Sequence, residues 1–387
     1  MNNNQYSQKA LEEHKKLAGK IQTIGRADLT KAEQLSTYYT PGVGAVSSYL
    51  AKHPEEVKDY TIAGNTVAVV SDGSAVLGLG NVGPEAALPV MEGKAMLFSQ
   101  LGGVNAFPIV LRSQDTQEII NTIVNIAPVF AAINLEDIAA PACFAIEKAL
   151  QTRLTIPVVH DDQHATAIAV LAGLINALTV VNKQADKIKV VILGAGAAGN
   201  AVAKLLVAYG VGEIITVDSR GIIYKGREEL DEYKSELANI TNKTAIQGLA
   251  EDAVTDADVI IGLTTGGTIL PNYIKMMNTQ PIVFALANPI PEIMPVDALQ
   301  AGAAVVATGR SDFANQINNV LVFPGLFKGL IESRQMVVSE AIKITAATAL
   351  AKCVKNPAPD NIVPSVFDER VVPAITEALT AKHKHTT

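Results

Sequence analysis

Tryptophan is absent from this chain of 387 residues, and aromatic residues make up only 5 % of it. Hydrophobic residues nevertheless account for 49 % of the chain, and most of them are alanine, valine, isoleucine or leucine. These side chains suit buried parallel strands covered by helices with small residues, so the composition favours an α/β fold. The length exceeds the size at which single cores usually stop growing, which indicates two domains.

Cysteine and clustered positive charge are also scarce. The two cysteines, Cys143 and Cys353, lack CxxC spacing and are too few for a disulfide framework, so we expect buried thiols. The net charge is −7 and no basic block is present, which argues against nucleic acid or an anionic membrane as a partner. A small molecule is the partner that we expect.

The sequence shows no apolar leader and no apolar run suited to crossing a membrane. Its first residues, MNNNQYSQKALEEHKK, are polar and predict neither a signal peptide nor a transit peptide. The longest apolar stretches are residues 166–181, which fall short of the roughly 20 residues that a span needs, and residues 190–212, which glycines and polar residues interrupt. We therefore expect a cytoplasmic protein.

A glycine-rich turn lies between a predicted strand at residues 188–193 and a helix predicted from Asn200 to Tyr209. The turn consists of Gly194, Ala195, Gly196, Ala197, Ala198 and Gly199. Its glycines permit a tight turn, close approach of a pyrophosphate and close helix packing, while the helix N-terminus faces the phosphates. In this strand–turn–helix context the motif predicts a dinucleotide site.

The next predicted strand, residues 213–217, ends in Asp218. This position is close to the offset of about 20 residues at which an acidic residue binds the adenine ribose. Such an acid accepts hydrogen bonds from the ribose hydroxyls and repels a 2′-phosphate, which favours NAD over NADP. Arg220 follows two residues later and could weaken that preference.

Four acidic residues follow two predicted strands in the first half, at residues 129–133 and 156–159. They are Glu136, Asp137, Asp161 and Asp162. Ligands bind at the carboxyl ends of strands in open α/β sheets, so these acids could converge there. Carboxylates suit Mg²⁺ or Mn²⁺, whereas the alternative for each pair is a helix N-cap. The flanking His160 and His164 form no HExxH motif, and we interpret both as structural.

Several other polar side chains border predicted loops. Lys94 is expected in the first turn of a helix at residues 90–98, where a lysine is usually solvated. Tyr39 precedes a Pro-Gly turn, where the alternative is a packing tyrosine. Asn288 and Asn319 follow apolar runs, and the alternative for them is a turn residue that bonds its own backbone.

Taken together, these segments resemble the malic enzymes in their short bacterial form, over nearly the whole chain. They are YTPGVG, GLGNVGPEAALPVMEGKAMLF, NLEDIAAPACF, VVHDDQHATA, GAGAAG, FALANP and ATGRSDFANQINNVLVFPG. The resemblance implies an α/β substrate- and metal-binding domain at residues 1–160. It also implies a Rossmann-type domain with a doubly wound parallel sheet at residues 161–387, which ends in a C-terminal helix.

The resemblance further implies a role for each candidate residue. Lys94 would be the general base, its pKa lowered by burial beside the cation, and Asp161 would pair with it. Tyr39 would protonate C3 of the enolpyruvate, while Asn288 and Asn319 would hold the substrate and the nicotinamide. The ligands of Mg²⁺ or Mn²⁺ would be Glu136, Asp137 and Asp162.

The implied reaction is the NAD-dependent oxidative decarboxylation of L-malate to pyruvate and CO₂, with NADP a less favoured cofactor. The alternative within the family is an oxaloacetate decarboxylase with little or no nicotinamide redox activity. Larger members carry an arginine that binds the substrate carboxylate where this chain has Ala75, so the resemblance does not supply that group. Members of the family are usually homo-oligomers, and we expect a dimer.

Overall fold

The computed structural model describes residues 3–76 and 79–383. In the first half of the chain, helices alternate with four parallel strands. Their bounds are α1 (Asn3–Leu17), α2 (Ala32–Tyr38), α3 (Gly42–Leu50), α4 (Val57–Tyr60), β1 (Thr66–Ser71), α5 (Pro84–Gly102), β2 (Asn105–Val110), α6 (Thr116–Ile126), β3 (Ala132–Leu135), α7 (Ala142–Arg153) and β4 (Val158–His160).

A long helix, α8 (Asp161–Val181), leads into the second half of the chain. The elements that follow it are β5 (Lys189–Leu193), α9 (Ala197–Tyr209), β6 (Glu213–Asp218), β7 (Gly221–Ile222), α10 (Glu232–Ile240), α11 (Ala250–Val254), β8 (Val259–Gly262), α12 (Pro271–Met276), β9 (Ile282–Ala285), α13 (Pro295–Gln300), β10 (Val305–Thr308), α14 (Phe323–Glu332), α15 (Glu340–Lys352) and α16 (Val371–His383).

The strands form two sheets, and the order of the second is that of a Rossmann fold. The first sheet has the order β2-β1-β3-β4 and is parallel throughout. The second has the order β10-β9-β8-β5-β6-β7, in which only the short β7 runs antiparallel to its neighbour. Strands therefore extend to both sides of β5, as in doubly wound dinucleotide-binding sheets. The predicted α/β fold class is confirmed.

Buried apolar residues fill both sheets. All six residues of the central strand β1 are buried, as expected for a parallel strand covered on both faces. Cys143 and Cys353 are buried free thiols, which confirms their prediction. The C-terminal part of the chain reaches back to the first sheet, because the ring of Phe98 in α5 lies 4.7 Å from that of Phe323.

Several element boundaries differ from the predicted ones. The strand predicted at residues 129–133 begins only at Ala132, because residues 127–129 form a 3₁₀ turn around Pro128, which lacks a backbone N–H. The helix predicted from Asn200 begins at Ala197, inside the glycine turn. The helix after β4 begins directly at Asp161, with no loop between strand and helix.

Because it begins at Asp161, α8 has 21 residues, and by length and composition alone it could cross a membrane. However, 72 % of its most apolar window is buried within the protein. Gly173 shows how closely it is packed, because a Cβ atom there would come within 2.9 Å of Cδ1 of Ile317. The helix therefore has the surroundings of a core helix.

The helices α2, α3 and α4 are packed far more loosely. None of their residues, all of which the structure describes, is buried. Large apolar side chains on them are exposed, among them Leu35, Val43 and Tyr49 at 46 %, 40 % and 38 %. This segment lacks a core of its own.

Candidate active site

Three acidic side chains converge where β3 and β4 end. Leu135 pairs with His160 in parallel register, so the chain leaves both strands at the same level of the sheet. One carboxylate oxygen from each of Glu136, Asp137 and Asp162 lies within 4.8 Å of the other two. An all-oxygen set of this kind suits a hard divalent cation such as Mg²⁺ or Mn²⁺.

The backbone at Asp137 turns the chain sharply toward the second acidic pair. Its φ is +53°, a left-handed conformation that is uncommon for residues other than glycine. Its N–H donates to Oδ2 of Asp162 at 3.0 Å. Helix α7 begins five residues later, with Pro141 at its N-cap. Glu136 and Asp137 therefore do not cap a helix.

Asp161 and Asp162 lie in the first turn of α8, but their side chains also do not act as N-caps. The N-cap position is His160, and its side chain makes no capping hydrogen bond. Oδ2 of Asp161 instead accepts hydrogen bonds from Nζ of Lys94 at 2.5 Å and from Nδ2 of Asn319 at 2.6 Å. Residues from three distant segments thus meet at one carboxylate.

Lys94 lies near the middle of α5, and its predicted place in the first turn is wrong. The helix begins at Pro84, a favoured first position, and tolerates Pro89 in its interior. Lys94 is 6 % exposed rather than solvated. Its Nζ contacts Oε2 of Glu136 at 2.5 Å as well as Asp161, so it joins the two acidic segments.

A cleft of about 700 Å³ connects the acids to the glycine turn. Of the sequence-predicted site residues, it is lined by Asp137, Asp162, Gly196, Ala197, Ala198, Gly199, Asn288 and Asn319. Ala75 also lines it, and no arginine or lysine does so within residues 3–76 and 79–383. Within the described residues, the lining of the cleft therefore presents acids and amides but neither arginine nor lysine.

The glycine turn has the geometry that its sequence predicts. Gly194 has a φ of +111°, and a Cβ atom there would lie 2.4 Å from the carbonyl oxygen of Leu263. At Gly199 a Cβ atom would lie 1.9 Å from the carbonyl oxygen of Gly194. At Gly196 a Cβ atom would meet nothing within 4 Å, which leaves space for a phosphate at the start of α9.

Comparison with known proteins identifies the family. The sequence model of the malic enzyme N-terminal domain matches residues 18–151, and that of the malic enzyme NAD binding domain matches residues 163–380. The chain belongs to the malic enzyme family. This confirms the resemblance and the predicted NAD-binding fold.

Similar proteins in the family include two from bacilli and one with a crystal structure. The chain is 49 % identical over 375 residues to the bifunctional malic/malolactic enzyme of Bacillus subtilis, covering 96 % of this chain and 92 % of that protein. It is 49 % identical over 365 residues to the NAD-dependent malic enzyme of Geobacillus stearothermophilus, covering 94 % and 76 %. The NAD-dependent malic enzyme of Thermotoga maritima superposes with a TM-score of 0.93 at 46 % identity, covering 96 % and 98 %.

The acid cluster of this family member carries more negative charge than its lysine can balance. Burial raises the pKa of both Glu136 and Asp161 to about 7, although Lys94 opposes both shifts. Burial lowers the pKa of Lys94, but the charges of Asp161, Glu136 and Asp162 outweigh it and raise that pKa overall. The side chains alone therefore raise the pKa of Lys94, whereas a lowered pKa is expected for this lysine beside a cation. Such an excess of buried negative charge fits a divalent cation.

A second cavity of about 520 Å³ extends from Gly194 to Asp218. Oδ2 of Asp218 accepts hydrogen bonds from Nη2 of Arg227 at 2.5 Å and from Nζ of Lys234 at 2.9 Å. Burial raises the pKa of Asp218, but these bonds outweigh it and lower the pKa to about 2. Neither cation could be predicted from the sequence, because they follow Asp218 by 9 and 16 residues in a segment without a motif.

Arg220, the cation that the sequence suggested near Asp218, is oriented differently. The side chain of Arg220 pairs with Glu229, and only its backbone N–H donates to Asp218, at 2.9 Å. The side-chain charges that contact Asp218 are therefore those of Arg227 and Lys234.

Two predicted side chains differ in how they relate to the cleft. Asn288 lines it, and its Nδ2 also donates a long bond of 3.5 Å to the carbonyl oxygen of Leu286 in its own turn. Tyr39 follows α2, is 66 % exposed and is not among the residues that line the cleft. The structure thus brings Lys94 and the acids together, but not Tyr39.

Proposed function

We propose that this protein catalyses the oxidative decarboxylation of L-malate to pyruvate and CO₂, with reduction of NAD and with Mg²⁺ or Mn²⁺. The observation that carries the proposal is one cleft that joins Asp137 and Asp162, two of the three converging acids, to the glycine turn, with Lys94 buried against the acid cluster. Membership of the malic enzyme family supports it, as do the activities for which the two relatives at 49 % identity are named.

Within this reaction, Glu136, Asp137 and Asp162 would hold the cation, and the glycine turn would hold the dinucleotide. The bound groups would supply stabilisation of negative charge at the substrate oxygens and an acceptor for the hydride. Asn288 and Asn319 would bind the substrate through their amides. The protein contributes placement and the exclusion of water.

Lys94 would exchange a proton with the substrate hydroxyl. It can accept that proton only after it has released its own, and the surrounding carboxylates oppose this release. Neutralisation of Glu136 and Asp162 on cation binding would remove part of that opposition. Asp161 and Asn319 would keep the amine in position throughout. Asp161 accepts a hydrogen bond from the amine, and Asn319 donates one to the same carboxylate oxygen.

For the division of the chain, we propose a substrate- and metal-binding domain at residues 1–160 and a dinucleotide-binding domain at residues 161–387. The first boundary residue, Asp161, begins α8. The joint between the domains would then lie at the site itself.

We propose further that the protein acts as a homodimer in which Tyr39 enters the cleft of the partner subunit. The exposed apolar residues of α2, α3 and α4 and the position of Tyr39 outside its own cleft support this arrangement. Tyr39 would protonate C3 of the enolpyruvate there.

The reaction is tested by incubating the protein with Mn²⁺, L-malate and either NAD or NADP while the absorbance of reduced nicotinamide is followed. We expect pyruvate and NADH in equal amounts, with NAD preferred. Oxaloacetate decarboxylation without any malate-dependent NADH would instead identify the decarboxylase alternative.

The shared cleft is tested by subunit mixing. Lys94→Ala and Tyr39→Phe should each be inactive, whereas the purified mixed dimer should regain about half of the normal activity, because one of its two clefts is complete. If Tyr39 acts in its own cleft, the mixed dimer stays inactive.

A further inference from the structure

Glu147 is a buried carboxylate on α7 that touches neither the acid cluster nor the glycine turn. Its Oε1 accepts a hydrogen bond from the backbone N–H of His160 at 2.8 Å. Nε2 of His164 lies 2.9 Å from Oε1 and 3.0 Å from Oε2. One carboxylate therefore bonds the last residue of β4 and the first turn of α8.

His160 and His164, the two residues that Glu147 bonds, lie on either side of Asp161 and Asp162 in the sequence. Adjacent residues of a helix point about 100° apart, so Asp161 faces Lys94 while Asp162 reaches the N–H of Asp137. A rotation or shift of this turn would displace both carboxylates at once. The bonds of Glu147 before and after the pair oppose such a movement.

The charge of Glu147 is maintained although its side chain is only 9 % exposed. Burial raises its pKa, but the hydrogen bonds and charges of His164 and His160 outweigh this and lower it. The ring of His160 is 1 % exposed, and this residue bonds Glu147 through its backbone N–H. His164 is thus the side chain that Glu147 engages.

We propose that Glu147 and His164 are positioning residues for the reaction, which hold the first turn of α8 so that Asp161 meets Lys94 and Asp162 meets Asp137. This inference rests on the function proposed above for the acid cluster. A role in folding alone is the competing explanation, and it predicts lower stability with an unaltered metal site.

The experiment compares Glu147→Ala, Glu147→Gln and His164→Ala with a control on the same helix. Asn176 lies toward the other end of α8, is buried, and donates to the carbonyl oxygens of Ala351 and Ile362. Asn176→Ala should therefore destabilise the helix without touching the acids. For each folded variant, calorimetry gives the dissociation constants of Mn²⁺ and NAD separately, and malate oxidation gives kcat and KM.

We expect Glu147→Ala to weaken Mn²⁺ binding and lower kcat/KM for malate by about 10–100-fold, the usual effect of removing a residue that orients metal ligands. Glu147→Gln should restore most of both, because its amide oxygen can accept the His160 N–H. His164→Ala should fall between them. NAD affinity should stay within about twofold in all variants, since the glycine turn is a separate site, and Asn176→Ala should bind Mn²⁺ normally.

Equal Mn²⁺ affinity in folded Glu147→Ala and the unmodified protein would overturn the proposal. If Glu147→Ala does not fold, unaltered Mn²⁺ affinity in His164→Ala overturns it equally. Failure of the proposed function would look different, because the unmodified protein would then bind Mn²⁺ without oxidising malate. The Mn²⁺ comparison between variants would still decide whether Glu147 positions the acids.

Discussion

Removal of the divalent cation should make the stability of this protein depend on pH in an unusual direction. Burial raises the pKa of Glu136 from 4.5 to about 7, so the folded state keeps a proton that the unfolded state releases. A group with a raised pKa contributes stability below its unfolded pKa and loses it as the pH rises through the folded value. The metal-free protein should therefore lose stability from about pH 4.5 to about pH 7.

The magnitude follows from the same two values. Each pH unit is worth about 1.4 kcal/mol per proton, so the rise from 4.5 to about 7 corresponds to a loss of about 3 kcal/mol of unfolding free energy. His160 acts in the opposite direction, because burial lowers its pKa from 6.5 to about 4 and its contribution grows with pH in that range. Asp161 adds to the loss, because burial raises its pKa from 3.8 to about 7. Glu136→Gln retains both Asp161 and His160, so the difference between the two proteins reports the contribution of Glu136.

The assay is denaturant unfolding in the presence of a chelator, at several pH values between about 5 and 8. The advantage of Glu136→Gln over the unmodified protein should grow with pH, by about 3 kcal/mol in all. Saturating Mn²⁺ should remove the contribution of Glu136 to this loss, because that ligand then stays ionised and bound. A difference that is flat with pH would refute the buried, proton-retaining state of Glu136.

Three further predictions concern the division of the cleft into two sites. Asp162→Ala should abolish Mn²⁺-dependent malate oxidation but leave NAD affinity within about twofold; a comparable loss of NAD affinity, measured by calorimetry, would contradict that division. Asp218→Ala should raise the ratio of kcat/KM for NADP to that for NAD by about tenfold or more. It removes a charged hydrogen-bond acceptor worth roughly 1.5–3 kcal/mol and releases Arg227 and Lys234 to meet a 2′-phosphate. An unchanged ratio would show that other groups recognise the 2′ position of the ribose. Gly199→Ala should weaken NAD binding while Mn²⁺ still binds, because its Cβ atom would lie 1.9 Å from the carbonyl oxygen of Gly194, and normal NAD affinity would show that α9 can move aside.

The acids and the glycine turn could be located from the sequence because both follow strands. A parallel strand has a strong local signal, and its carboxyl end fixes where the next residues emerge. The register between β3 and β4 then brings Glu136 and Asp161 to the same level, although the sequence alone does not reveal it. Local patterns thus predicted that these residues lie at the edge of the sheet, whereas the pairing of β3 with β4 brought them together in one cluster.

Contacts between distant segments could not be predicted in the same way. The bonds of Lys94 to Glu136 and Asp161, and of Asn319 to Asp161, join residues 42, 67 and 158 positions apart. The cations beside Asp218 and the bonds of Glu147 likewise depend on how helices pack, which no local pattern encodes. The family resemblance supplied roles for residues, whereas their charge states required the packed structure.

The direct passage from β4 into α8 has a consequence for attempts to alter this enzyme. With no intervening loop, an insertion or deletion near Asp161 would change the helical phase of the core as well as the site. The turns after β8 and β9 also line the cleft, but the buried Glu292 accepts hydrogen bonds from the backbone N–H groups of Thr264 and Ala287 and so ties these two turns together. Near the acids, single substitutions that keep the length of the chain are therefore the changes that this fold can accept.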